Sequence, residues 1–173
     1  MKRYVPKIYQ KDIYSINYQK LKDNNIKCLL YDLDNTLISP VSKQITKDLE
    51  KLISKLKKEN FRVIIFSNSP KKRVSKIADK LKVEYVAFAM KPFKFKFNSF
   101  LNKNKYNKNE VAIIGDQLYT DVIGGNKVGI VTILVDTIDE QDILITKINR
   151  FREKRLEKKL ANRKLLVRGE YYE

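Results

Sequence analysis

Histidine is absent from this 173-residue chain, and that absence removes a large part of enzymology. No serine–histidine relay, histidine-rich zinc site or histidine general base can be built. Any chemistry has to run on carboxylates, lysine and a hard metal ion. Cysteine is nearly absent too. The single Cys28 excludes an intrachain disulfide and fits a reducing compartment. Beside Leu29 and Leu30 it reads as an inert core thiol. No apolar run approaches the ~20 residues a membrane-spanning helix needs; the longest, Ile130 to Val135, is strand-sized. No continuous apolar stretch follows Met1-Lys2-Arg3, so no signal peptide is expected and the location reads as cytoplasmic. A phosphate-binding Walker loop, a dinucleotide glycine fingerprint, internal repeats and a flexible linker are missing as well. The length suits one domain over 1–173, and 43% hydrophobic residues suffice for its core.

Acidic residues are the scarce sign: 20 stand against 37 basic ones, a net charge of +17. Such an excess attracts polyanions, whether nucleic acid, anionic membrane or a phosphorylated substrate. AT-rich codon usage, which enriches Lys, Asn and Ile together, accounts for the same numbers equally well. Charge alone therefore decides nothing.

What is present is an alternation of apolar runs and amphipathic stretches. Residues 1–25, with scattered tyrosines and isoleucines among lysines, read as an irregular or partly helical apron. Buried strands are expected over Ile26 to Tyr31, Val63 to Phe66, Val111 to Ile114 and Ile130 to Val135, with a weaker one over Glu84 to Ala89. A helix over Thr46 to Asn60 would align Leu49, Leu52, Ile53 and Leu56. Ser69-Pro70 supplies a cap and a first-position proline for a helix burying Val74, Ile77, Ala78 and Leu81. A third helix would align Phe93, Phe97, Phe100 and Leu101. From about 142 to 173 the chain reads as a basic helix or pair of helices. Strands alternating with helices predict an α/β, three-layer, Rossmann-type sandwich around a mainly parallel five-stranded sheet.

Four short motifs punctuate this pattern. They are Asp32-Leu33-Asp34-Asn35-Thr36-Leu37, Ser67-Asn68, Lys91-Pro92, and Gly115-Asp116-Gln117 followed by Thr120-Asp121. Each follows an expected strand, so all four should meet at one sheet edge, where ligands of such folds bind. Asp32 and Asp34, two apart, can lean to one side. Two carboxylates ~4 Å apart repel by ~4 kcal/mol at an effective dielectric of 20. Asp116 and Asp121 add to this, and Lys91 offsets only part of it. A divalent cation held by oxygens is the natural remedy, and magnesium suits a site that faces phosphate. The set fits phosphoryl transfer by a covalent route: one carboxylate attacks phosphorus, a second protonates the leaving oxygen, and water cleaves the acyl phosphate. Ser67 and Asn68 would donate to phosphate oxygens.

Taken singly, each motif has a plainer meaning. An Asp-x-Asp is commonly a turn, Lys-Pro means nothing, Gly-Asp is often a helix cap, and Gly124-Gly125 could simply end a helix. A calcium loop fails, because its sixth position would be Leu37 and its twelfth Lys43. A response-regulator receiver fails because its phosphoacceptor follows a later strand than its acidic pair. The conjunction, in order and in strand context, is what carries the assignment.

That conjunction resembles the haloacid dehalogenase superfamily of phosphatases, subfamily IIIA. Within it, the chain resembles the YqeG-type bacterial proteins and the related mitochondrial phosphatidylglycerophosphate phosphatases. Gly124-Gly125-Asn126, Thr146 to Arg150 and Tyr4-Val5-Pro6 support the likeness. It implies that Asp32 is the nucleophile and Asp34 the general acid/base, that Ser67 and Lys91 bind the phosphoryl group, and that Mg2+ is held by Asp32, the backbone carbonyl of Asp34, and Asp116, with Asp121 supporting the shell. Little chain is free after the first motif or before Lys91, so by family architecture the domain is capless and its site open. An open site, a basic surface and the resemblance together point to phosphatidylglycerophosphate, hence phospholipid metabolism and a peripheral position at the inner face of the membrane. Phe95, off the Phe93–Phe97 stripe, would touch acyl chains. Leu144, Ile148 and Phe151 of the tail would form a stripe suited to docking on the domain or to a membrane. The alternatives are another phosphomonoester (a nucleic-acid end, a phosphoprotein or a metabolite) and a basic RNA- or ribosome-binding module.

Overall fold

The computed structural model describes residues 1–42, 44–139 and 146–173, without the side chains of residues 2 and 146–152. Its elements run β1 (Ile8–Gln10), α1 (Tyr18–Asp23), β2 (Cys28–Tyr31), α2 (Lys47–Lys58), β3 (Arg62–Phe66), α3 (Lys71–Leu81), β4 (Glu84–Val86), α4 (Lys94–Asn104), β5 (Val111–Gly115), a π-helical turn (Leu118–Val122), α5 (Ile123–Val128), β6 (Val131–Val135) and α6 (Thr146–Ala161). All paired strands are parallel, in the order β1-β6-β5-β2-β3-β4. From central β2 the chain moves outward through β3 and β4, then returns to the other side of β2 for β5 and β6. The topological switch point therefore lies between β2 and β5, where a crevice opens beyond the strand ends.

β2 is buried along its whole length because helices cover both faces of the sheet. Leu29 and Tyr31 face one side, with Ile65, against Leu49, Ile53 and Leu56 of α2 and Val74 and Ile77 of α3. Cys28 and Leu30 face the other, with Ile64 and Phe66, against Phe97, Phe100 and Leu101 of α4 and Val128 of α5. Cys28 is an inert core thiol as expected: burial pushes it up to about 12. Between β2 and β3 stands only α2 with its loops, and residues 87–93 alone separate β4 from α4. Among the described residues no cap is inserted at either point.

Several expectations need correction. The sheet has six strands rather than five, because Ile8–Gln10 of the supposed apron adds at the edge of β6. Three residues with one buried side chain, Tyr9, are too short to display a strand period. Phe93 is 64% exposed and precedes α4 instead of sharing its buried stripe. Pro70, not Ser69, stands at the N-cap of α3 and has no polar side-chain atom to cap with, while the Ser69 hydroxyl donates to Asp34. Gly124 and Gly125 lie buried within α5; a Cβ at Gly125 would meet Thr132 Cγ2 at 2.5 Å and Ile113 Cγ2 at 2.6 Å. Gly129, at φ 89°, ends that helix.

Among the described residues the tail holds one helix, the first of the two expected alternatives, and it is docked. Leu156 and Leu160 of α6 pack with Tyr9, Leu134, Leu118 and Val122. Beyond α6 the chain returns to the edge of the sheet, where Tyr9 and Tyr172 exchange backbone hydrogen bonds of 2.8 and 2.9 Å. The supposed stripe of Leu144, Ile148 and Phe151, and the Thr146 to Arg150 match, involve side chains outside the described residues. Among the described residues no helix is long and apolar enough to cross a membrane.

Candidate active site

The four motifs do meet at the carboxyl edge of the sheet, and the backbone explains how each side chain is aimed. Asp32 extends the ladder by one bond beyond β2: its N–H donates to the Ile114 carbonyl of β5 at 2.9 Å. The chain then curls back on itself. The amides of Leu37 and Ile38 both donate to the Leu33 carbonyl, at 3.0 and 3.1 Å, and Asn35 takes φ 65°. Asparagine tolerates that left-handed conformation better than most residues. Its side-chain oxygen also accepts from the Asp139 amide at 3.2 Å.

Beyond β3, Ser67 is buried and its amide donates to the Val86 carbonyl at 3.0 Å. Asn68 is turned onto Lys91: its amide nitrogen donates to the Lys91 carbonyl at 3.0 Å, and its oxygen accepts from the Lys91 N–H at 2.8 Å. This pair of bonds fixes the Lys91 backbone, whose link to Pro92 is cis. The Asn68 side chain thereby positions a neighbour while its second N–H is left for other partners. The Lys91 ammonium stands 2.6 Å from an oxygen of Asp32 and 2.6 Å from an oxygen of Asp121. Burial disfavours its charge, but Asp121 and Asp32 outweigh that and hold the ammonium above its ordinary range.

Asp116 follows β5 directly, and Thr36 Oγ1 donates to its Oδ1 at 3.4 Å. Asp121 comes from the π-helical turn, and its second oxygen accepts from the Gln117 amide at 3.2 Å. Glycine at 115 is what lets Asp121 in. A Cβ there would lie 2.2 Å from both Cγ and Oδ2 of Asp121. Asp32, Asp116 and Asp121 are all buried, and each offers an oxygen within 4.8 Å of the others. Burial, together with Asp121, pushes Asp32 up to about 6 against the pull of Lys91. Burial and the charges of Asp32 and Asp121 push Asp116 well above the carboxylate range. Three acids beside one ammonium are short of positive charge, and a hard divalent cation fits this all-oxygen set.

Asp34 does not join that cluster, contrary to the expectation of four converging carboxylates. Arg73 of α3 pairs with its Oδ1, and the Ser69 hydroxyl donates to its Oδ2 at 2.8 Å. Sequence reasoning missed both partners. An arginine standing after Lys71-Lys72 was the available signal, since its fork suits a carboxylate as lysine does not.

Two further residues missed by sequence reasoning come from the tail. Glu153 of α6 is buried and accepts from the amides of Leu118 and Tyr119, at the start of the turn that carries Asp121. Arg168 donates to the Asp116 carbonyl at 3.4 Å while paired with Glu157 and Asp136.

The chain is similar to several known proteins. A family model described as "Mitochondrial PGP phosphatase" matches residues 1–139. The Bacillus subtilis protein named "Probable phosphatase YqeG" is 36% identical over 155 residues, covering 90% of both chains. A chloroplastic and mitochondrial phosphatidylglycerophosphate phosphatase of Arabidopsis thaliana is 22% identical over 84% of this chain, in a match spanning 45% of that protein. Among solved structures, the magnesium-bound HAD-hydrolase YfnB of Bacillus subtilis superposes with a TM-score of 0.55 at 15% identity, over 70% of this chain and 91% of that one.

Proposed function

Because this chain belongs to the mitochondrial PGP phosphatase family of the haloacid dehalogenase (HAD) superfamily, and is thus a phosphatase, we propose that it hydrolyses phosphatidylglycerophosphate by way of an aspartyl phosphate on Asp32. The observation that carries the mechanism is the contact of Lys91 with both Asp32 and Asp121 beside Asp116, at the switch point of the sheet. A second reading, another phosphomonoester, is an outcome of the test below.

In the first step an Asp32 oxygen forms a bond to phosphorus and the ester P–O bond breaks. Asp34, having left Arg73 and taken a proton from solvent, passes that proton to the departing oxygen. In the second, Asp34 takes a proton from water, whose oxygen bonds to phosphorus as the Asp32–phosphorus bond breaks. Asp34 has to leave Arg73 and Ser69 to reach the leaving oxygen, so these two residues define its resting position. Lys91 turns from the carboxylates toward the phosphoryl oxygens, with Ser67 as a donor beside it. Asp32, Asp116, Asp121 and the Asp34 carbonyl would hold magnesium, which when bound neutralises phosphoryl charge and keeps the carboxylates ionised.

The test is phosphate release from phosphatidylglycerophosphate in mixed vesicles with magnesium, wild type beside Asp32→Asn. Wild type is expected to release phosphate and the variant to lose at least ~10³-fold in rate. Turnover of an aryl phosphate but not of the lipid would leave the chemistry standing and replace the substrate. Wild-type-like release by Asp32→Asn would overturn the nucleophile.

A further inference from the structure

Four large apolar side chains crowd the rim of the site within eight residues: Phe88, Met90, Phe93 and Phe95 are exposed by 55%, 53%, 64% and 70%. Their backbone is held firmly. The Phe88 amide donates to the Ser69 carbonyl at 3.2 Å, the Ala89 amide to the Ser67 carbonyl at 2.9 Å, and the Phe93 amide to the Met90 carbonyl at 2.8 Å. Ala89 and Lys91 are buried, so Phe88 and Met90 alternate outward from the very strip that sends Lys91 into the site. Phe88 and Met90 take φ 48° and 54°, a conformation that costs bulky residues energy and persists only where surrounding structure imposes it. Two strained residues thus present about half of their surface to solvent.

The segments of chain that form this rim carry one sign of charge. Lys71, Lys72 and Lys94 are exposed on the adjoining helix starts, and residues 67–78 and 85–109 contain no carboxylate. We propose that this rim is an interfacial docking surface that seats the active site on an anionic lipid bilayer, with the four apolar side chains entering the headgroup–acyl boundary and the lysines contacting anionic headgroups. Exposed lysines beside projecting apolar groups are complementary to such a surface, and each component strengthens the other. A docked protein would meet the lysines with carboxylates and the apolar groups with a shaped pocket; RNA would take the lysines but leave Met90 without a partner. The proposal rests on the lipid-substrate reading, and deepens it by placing the entrance of the site against the layer in which such a substrate lies.

The experiment is co-sedimentation of the full chain with vesicles of phosphatidylcholine alone and with a third phosphatidylglycerol, free of any phosphomonoester. Wild type is expected to bind the anionic vesicles, and Phe93→Ser/Phe95→Ser to lose on the order of tenfold in partition. Aryl phosphate turnover stays unchanged in that variant, because both rings project from the domain. Lys71→Glu/Lys94→Glu is expected to lose binding in parallel. Wild type that ignores anionic vesicles, or aromatic variants that bind as wild type does, would overturn the docking surface, as would binding to RNA in preference to vesicles. Vesicle binding that follows the expected pattern without turnover of phosphatidylglycerophosphate would instead overturn the substrate.

Discussion

Gly115 is occupied by glycine for a reason visible only in three dimensions. The Asp121 carboxylate sits where a Cβ would be, at 2.2 Å, and is fixed there by Lys91 and by the Gln117 amide. Asp121 is not the loose end of a flexible chain and cannot step aside without leaving the cluster. Gly115→Ala is therefore expected to displace Asp121, weaken magnesium binding in calorimetry by at least tenfold, and lower aryl phosphate turnover by on the order of 10²-fold, since ångström misplacements cost about that much. Unchanged affinity and rate would mean the carboxylate has room the structure does not provide. Asn68 teaches a related lesson at the same scale. As a polar residue directly after Ser67 it invites a ligand role, and the fold adds a second one: its oxygen and one of its two N–H groups bond the Lys91 peptide. Residue type and motif position located it; only the fold showed that it holds the Lys91 backbone.

At the scale of elements, the docking of α6 on the π-helical turn joins the tail to the site. Glu153 is the buried link, and burial pushes its carboxyl up to about 7, with Glu157 adding to this and Arg168 opposing it. An acid raised in the fold above its ordinary value of 4.5 stays neutral there while the unfolded chain ionises. Its contribution is thus complete below about pH 4.5 and is lost as pH climbs to about 7, up to ~3 kcal/mol. The melting temperature of wild type minus that of Glu153→Gln is expected to fall across this window by several degrees. A difference constant with pH would show that Glu153 keeps an ordinary carboxyl. The sequence displays α6 only as a basic helix, because one glutamate among lysines and arginines reads as solvated. Long apolar runs made β2, β3, β5 and β6 legible, since burial on both faces writes itself into every residue. β1 left no such trace, for its strand character comes from pairing with β6. The partners of Asp34 were hidden for the same reason: Ser69 looks like a cap until the fold brings it within 2.8 Å of the carboxylate.

For the molecule as a whole, a positive surface encloses a negative centre. The chain carries +17 overall, yet at the switch point three buried carboxylates share one lysine. Repulsion there is a standing cost to the metal-free fold, which a bound divalent cation removes. Because such an ion binds the folded cluster and not the unfolded chain, stability rises with its concentration, by ~2.7 kcal/mol at a hundred times the dissociation constant. For a domain of this size that is about 5–10 °C in melting temperature. Asp116→Asn separates the cost from the gain. Neutralising one of the three acids relieves repulsion, so the variant should melt above wild type without metal, while losing most of the magnesium-dependent increment along with activity. Stability given up at a functional centre is recovered by mutation at the expense of function. If magnesium leaves the melting temperature of wild type unchanged while Asp116→Asn lowers that of the metal-free protein, the cluster is a structural ion-pair network closed by Lys91, and the positive exterior then has no negative centre to balance.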